Sequence, residues 1–344
     1  MKRGVLMRTL TLLTIMMLIN STALADSVHV EQTLESPFLT LQLNADVEVP
    51  DEGVQLSIYE SDYARADAAA WAEMAAPDDA SAPGAVLISG WDIKYEGEAS
   101  SFNYISSESR FDLRYGNIDV PIWWSYAQKD VQATNIDITP QQAKDAAQGV
   151  VDRLAQTLGW DGYSFSACYA MPAAQDIPDI SPNAIMPDNM YDASKGYYIV
   201  EYTHDVGGLS IAYDKSPMLD ELYADIYADV LQIYVIDSGI ILVEGWYRVF
   251  TETGTEPLNV SLDEAIQVLA DNMDYVECYP DEAVCEISEI GLCYRLVQTR
   301  PTYDPSAGVC MSVRPAWRFA SRISRSESNV FFMFVDAVTG EVLP

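Results

Sequence analysis

The stretch TPQQAKDAAQGVVDRLAQTLGW, residues 139–160, decides the fold. Thr139 is placed to cap a helix, Pro140 occupies the first helical position, and Gln142 completes a capping box. Ala143, Ala146, Ala147, Val150, Val151, Leu154 and Leu158 recur at steps of three and four residues. Lys144, Asp145, Gln148, Asp152 and Arg153 fill the other face, and Gly159 ends the run. One amphipathic helix is therefore predicted. Downstream, YSFSACYAM, GYYIVEYTH, LSIAYD, VLQIYVID and GIILVEGWYRVF read as strands, the last two joined by a tight turn at Asp237-Ser238-Gly239. A helix followed by an antiparallel meander is the expected unit.

The same order then recurs. Ser261-Leu262-Asp263-Glu264 is a second capping box, and Leu262, Ala265, Ile266, Leu269 and Met273 mark a shorter amphipathic helix. Strands follow at 285–299, 313–321 and 329–337, with a turn at Thr339-Gly340. Upstream, FLTLQLNADVEVP (38–50) alternates apolar and polar residues as a strand with one exposed face does. ARADAAAWAEMAA (64–76) is helix-forming, with Asp62 as candidate N-cap and Pro77 as stop. SFNYISSE, RFDLRYGN and VPIWWSYA read as further strands. The expected class is α+β, with tandem units of one helix packed on an antiparallel sheet. These units fall at 131–256 and 257–344, after a mixed, mostly β N-terminal region at 26–130.

Residues 1–25 have the form of a secretory signal peptide. Lys2, Arg3 and Arg8 precede the apolar run Leu10 to Ile19, and Ala23-Leu24-Ala25 forms a small-x-small cleavage site before Asp26. The run is about half the ~20 residues that a membrane-spanning helix needs. LQIYVIDSGIILV (231–243) is interrupted by Asp237-Ser238-Gly239, so no transmembrane segment is expected after cleavage. His29 then falls in a leader expected to be loose.

The 344 residues carry 52 Asp and Glu against 19 Lys and Arg, a formal charge of −33, and loss of the signal's three cations makes it −36. Nucleic acid is excluded as a partner, since its affinity for proteins comes mostly from Lys and Arg displacing counterions. Hydrophobic residues at 49% set the chain apart from a disordered acidic tail. With His29 and His204 the only histidines, a multi-histidine metal centre is excluded. His204 reads as a polar residue beside a Gly-Gly turn, and no nucleophile elbow, P-loop, dinucleotide fingerprint, H-E-x-x-H or EF-hand loop occurs. No catalytic residue, cofactor or metal ligand is thereby assigned. Asp220, Glu221, Asp225 and Asp229 look site-like, but such an acidic run reads as a solvated loop feeding a strand.

Four of the five cysteines, Cys278, Cys285, Cys293 and Cys310, lie within 33 residues, and Cys168 stands apart. Their spacings lack the short paired knuckles of a zinc site, and in an exported protein they are disulfide candidates. Cys293 with Cys310 across a hairpin and Cys278 with Cys285 around a short loop is one of 15 ways to form two bridges from five cysteines.

SLDEAIQVLADNM, a strand pair, RPAWRFA and FFMFVDAVTGEVL together resemble the end of PepSY-like domains and of the YycI and YycH envelope regulators. There a helix, a P-x-W strand and a V-D-A-x-T-G-E-V segment close an α+β fold. The resemblance implies that Gly340 supplies the turn, that Asp336 belongs to the closing motif, and that Trp317 and Phe334 pack sheet on helix. TPQQAKDAAQGVVDRLAQTLGW with GYYIVEYTHDVGGLSIAY resembles a more divergent copy. The likeness spans about 200 residues, with the specific motif in about the last 30. Those families are not enzymes, so it implies a protein that binds or restrains another envelope or secreted protein, or a wall component. The chain departs from the regulators in lacking a retained anchor once the signal is cut, which argues against kinase tethering. A carboxylate-dependent hydrolase acting on glycans or peptides and a calcium-stabilised structural module are the alternatives.

Overall fold

The computed structural model describes residues 24–35, 39–51, 53–63, 86–89, 92–96, 100–105, 110–116, 118–120, 126–177, 189–212, 229–272, 283–298, 311–323 and 330–343, together with Ala70 and Met74. Helix α1 spans Pro140–Leu158. Thr139 accepts from the Gln142 backbone N–H at 3.2 Å, and the Gln142 side chain accepts from the Thr139 N–H at 2.8 Å. Gly159 ends it in the left-handed region, where glycine has no Cβ to clash. Helix α2 spans Leu262–Asn272, and its box is also formed, with Ser261 and Glu264 exchanging backbone bonds at 2.9 and 3.3 Å. Both helices stand where the capping signals put them.

Each helix covers one face of a sheet. Under α1 lie β9 (Tyr163–Met171), β10 (Tyr197–Val206), β12 (Val230–Ile236) and β13 (Gly239–Trp246), all antiparallel neighbours. Ala143, Ala147, Val150 and Leu154 of α1 pack on Tyr198, Val200, Tyr202, Leu231, Ile233 and Val243. Under α2 lie β15 (Ala283–Gln298), β16 (Met311–Ile323), β17 (Val330–Asp336) and β18 (Val342–Leu343). There Ala265, Ile266 and Leu269 meet Ile287, Trp317, Phe319 and Val335. The class is α+β, with helix-on-sheet units in tandem.

Strands upstream of residue 130 are shared between the two sheets. β1 (Leu24–Glu35), β2 (Leu39–Pro50) and β3 (Gln55–Tyr63) join the second sheet, where β2 lies parallel to β15 and β3 pairs with the Met311 end of β16. β4 (Val86–Ser89), β5 (Asp92–Glu96), β6 (Ser100–Ile105) and β7 (Arg110–Tyr115) join the first sheet, with β7 against β13. The segment expected to be loose around His29 is strand β1, because Val30 and Leu34 alternate toward the core and His29 Nδ1 pairs with Asp46 at 2.9 Å. Asp62 lies inside β3 rather than capping a helix, although Ala70 and Met74 are helical and Met74 enters the first core. Residues 121–125 of VPIWWSYA lie outside the described residues, as do 1–23 of the signal segment.

GIILVEGWYRVF is not one strand. It ends as β13 at Trp246 and resumes as β14 (Arg248–Pro257), which pairs with β3 in the other sheet. The chain thus passes from the first sheet to the second at Tyr247. LSIAYD shortens likewise to β11 (Leu209–Ser210), followed by a single parallel bridge from Ile211 to Tyr294 of β15. Tyr59, Val206, Ile211, Tyr294, Leu296, Met311 and Val313 form an apolar cluster that joins the two sheets.

Candidate functional site

Two neighbouring features occupy the seam between the sheets: a buried charged cluster on one face of β10 and an open cleft on the other. His204, near the end of β10, is 6% exposed, and Asp229, just before β12, is fully buried. His204 Nδ1 lies 3.2 Å from Asp229 Oδ2. The imidazole stacks on Tyr247 at 5.2 Å, tilts against Tyr163 at 5.3 Å and meets Phe250 of β14 edge-on at 5.0 Å. Tyr247 in turn stacks on Trp160 at 4.2 Å, so an aromatic column runs from the end of α1 into the second sheet. Gly162, with φ of +87°, closes the remaining side, where a Cβ would stand 2.7 Å from His204 Nε2.

Electrostatics explain why this cluster is buried as a set. Burial disfavours a charged imidazole, yet the adjoining Asp229 carboxylate prevails and raises the His204 pKa. Burial also raises Asp229, against the opposing pull of His204 and of the Arg248 charge and backbone N–H. Arg248 is 1% exposed at the first position of β14. A positive residue of one sheet is thus set against the carboxylate that enters the other. Sequence reading placed Asp229 in a solvated loop and His204 at a turn; both are buried because tertiary contacts supply the partners that local pattern cannot show. Asp220, Glu221 and Asp225 lie outside the described residues.

Across β10, Asp205 accepts from Ser164 and Ser210, and beyond them opens a cleft of about 400 Å³. Its volume is that of a small ligand site. One wall comes from the first sheet through Tyr169, Glu201 and Thr203, and the other from the second through Glu289, Leu292 and Arg318. Glu201 is 4% exposed and accepts from Gln232 Nε2 at 3.0 Å; Glu289 is open to solvent and paired with Arg318, whose guanidinium lies 5.2 Å above Phe332. Burial, with Glu201, Glu289 and Asp130 adding to it, pushes the Tyr169 hydroxyl well above the usual phenol range. Lys129 of β8 (Gln128–Lys129) lies beside Tyr169 in the same wall, so the cleft lining carries Glu201 and Glu289 together with Lys129 and Arg318.

Trp317 is fully buried and donates from Nε1 to the Val260 carbonyl at 2.9 Å, fixing the start of α2 to the sheet. Asp336 Oδ1 accepts from the Val338 and Thr339 N–H groups at 2.8 and 2.9 Å, and Oδ2 from Arg314 at 3.0 Å. Gly340 takes the φ of +76° that completes this turn. Phe334 is buried on the opposite side of the sheet from Trp317, against Ala212, Cys293 and the Arg295 guanidinium.

Cys168, Cys285 and Cys293 are buried free thiols, raised by burial to about 11, 11 and 12. The hairpin expected downstream of Cys293 forms, but its register sets Cys293 opposite Ala316, whose carbonyl lies 3.5 Å from the sulfur. Cys278 and Cys310 lie outside the described residues. Among the described residues no group of three or more His, Cys, Asp or Glu side chains is placed to hold a metal, and no helix is long and apolar enough to cross a membrane.

The molecule is thus a tandem helix-on-sheet protein with a charged seam and an inter-sheet cleft. No protein-family model matches the chain, and no curated protein matches it. Among solved structures, an uncharacterised protein from Eubacterium rectale is similar in fold, at a TM-score of 0.54 and 13% identity, with 88% of this chain and 90% of that one covered. YycH from Bacillus subtilis aligns at a TM-score of 0.36 and 9% identity, over 87% of this chain and 54% of that one.

Proposed function

We propose that the chain is an exported, non-catalytic binding protein of the cell envelope, which acts by holding another protein in the cleft between its two sheets. The observation that carries this reading is the cleft itself. Its walls come from both units, and the charged seam behind it fixes their separation, so a bound segment would contact both at once. The signal-like first 25 residues support export. A carboxylate-dependent hydrolase draws less support, because only one of the two acids in the cleft, Glu201, is buried, while the Glu289 side chain is 60% exposed and already paired.

Site-specific cross-linking tests the reading. A photoreactive phenylalanine analogue at position 203, on the cleft wall, is expected to give a discrete partner band in the envelope fraction of the native host. The same analogue at position 249, exposed on β14, is expected to give none. Equal labelling from both positions, or none from either, would overturn the proposal.

A further inference from the structure

Where the chain crosses from the first sheet to the second, the crossing segment rests on one imidazole. Tyr247 stacks on His204 and Phe250 meets it edge-on, so residues on both sides of Arg248 lie against a side chain of β10. Asp229 Oδ2 is within 3.2 Å of His204 Nδ1, whereas Asp229 Oδ1 is buried and, among the described residues, has no hydrogen-bond partner. That carboxylate therefore depends on His204 and Arg248 for its counter-charge. Thr203, next to His204 along β10, borders the cleft. Because side chains alternate across a strand, β10 carries the imidazole on one face and part of a cleft wall on the other.

A proton on His204 strengthens these contacts together. Burial opposes the charged ring, but Asp229 ahead of β12, Asp205 of β10 and Asp161 ahead of β9 all favour it and prevail. Tyr163 of β9 and Tyr247 also face the imidazole, and burial keeps their hydroxyls neutral, with Tyr247 pushed up to about 12. Arg248 holds its charge throughout and is set against Asp229. His204 is thus the member of the cluster that changes charge near neutral pH. A charged ring is attracted both to the Asp229 carboxylate and to the stacked face of Tyr247; a neutral ring keeps at most the Nδ1 hydrogen bond. We infer that the seam is a proton-controlled clasp: a charged His204 holds residues 247–250 against the first sheet, and loss of its proton releases them while both helix-on-sheet units stay folded, so that the cleft walls can part. The clasp is closed below the unfolded imidazole's value near 6.5 and opens as pH rises through the higher folded value. It concerns the motion of the seam and holds whatever the cleft binds.

Imidazole nitrogen NMR and hydrogen exchange on the full chain test it. His29 and His204 are the only histidines, so His29→Gln assigns the two rings. The His204 ring is expected to be charged at about pH 6 and neutral at about pH 9; a ring already neutral at the lower pH, or still charged at the higher, would overturn the inference. Amide protection across residues 247–251, corrected for intrinsic exchange, is expected to fall about tenfold or more over the same interval, while that of β16 changes less than about threefold. His204→Gln, which cannot take up the proton, should hold the crossing at its low protection at both pH values, and His29→Gln should leave the dependence in place. An equal fall in β16 would reduce the effect to global stability and overturn the clasp, as would a dependence that survives in His204→Gln. The ring titration and the contrast between segments are read on the unsubstituted chain, so they decide the matter even where His204→Gln does not fold.

Discussion

The two helix-on-sheet units are closed by opposite kinds of chemistry. The second ends in a local device: Asp336 gathers two backbone N–H groups of the next three residues, Gly340 turns the chain, and Trp317 bonds the start of α2. The first has no such ending. Its last strand runs on into the other sheet, and the passage is held by Asp229, His204 and Arg248, which come from three separate segments and are all buried. A local turn needs only its own dozen residues to be correct. A buried ionic cluster needs both sheets in place, because each charge is tolerable only beside its partners. The seam is therefore where the two units become one structure, and it forms the rear of the cleft.

Removing one member of each device should separate them most sharply. Asp229→Ala leaves His204 buried without its carboxylate and is expected to cost about 3–5 kcal/mol in urea unfolding monitored by tryptophan fluorescence. Asp336→Ala loses the turn bonds and the Arg314 pairing, at about 1–3 kcal/mol, and should leave the seam intact. The reverse ranking would mean that the local turn, not the seam, limits the fold.

A second contrast is in pH. The His204 and Asp229 pKa values are both raised on folding, so the folded state binds more protons than the unfolded chain between the two sets of values. For His204 the stabilisation is complete below its unfolded value near 6.5 and is lost as pH rises through the higher folded value; Asp229 contributes with the same sign at lower pH. Melting temperature is therefore expected to fall between pH 6 and pH 8, and His204→Gln should flatten that dependence. A melting temperature that rises over this interval would show that the seam does not hold a protonated imidazole.

Local devices were legible in the sequence and distant ones were not. Thr139 and Ser261 announce their helices because a capping box is complete within four residues, and the period-two pattern of β2 survives as alternating burial along Leu39–Pro50. Trp317 and Asp336, singled out by resemblance, bond the start of α2 and the last turn respectively. The pattern failed where a strand's partner is far away. Nothing in FLTLQLNADVEVP says that it will lie parallel to residues 283–287, and nothing in WYRVF says that the chain changes sheets at Tyr247. The cleft shares that fate, for Glu201 and Glu289 are 88 residues apart and read singly as ordinary strand carboxylates. Asp229 stands directly before the strand VLQIYVI, but as the last of four acids within 220–229 it reads no differently from the other three.

The smallest effect puts the likeness of the two units to its own test. Thr139→Ala and Ser261→Ala remove the same hydrogen bond from the same position of α1 and α2, so each is expected to cost about 1 kcal/mol. If the seam makes the two units unfold together, both variants should shift a single transition by the same amount, whichever unit carries the change. If the units are independent, each variant should move a separate transition in a calorimetric scan. Two transitions would contradict the role given to His204, Asp229 and Arg248, since a cluster drawn from both sheets cannot survive the loss of either one.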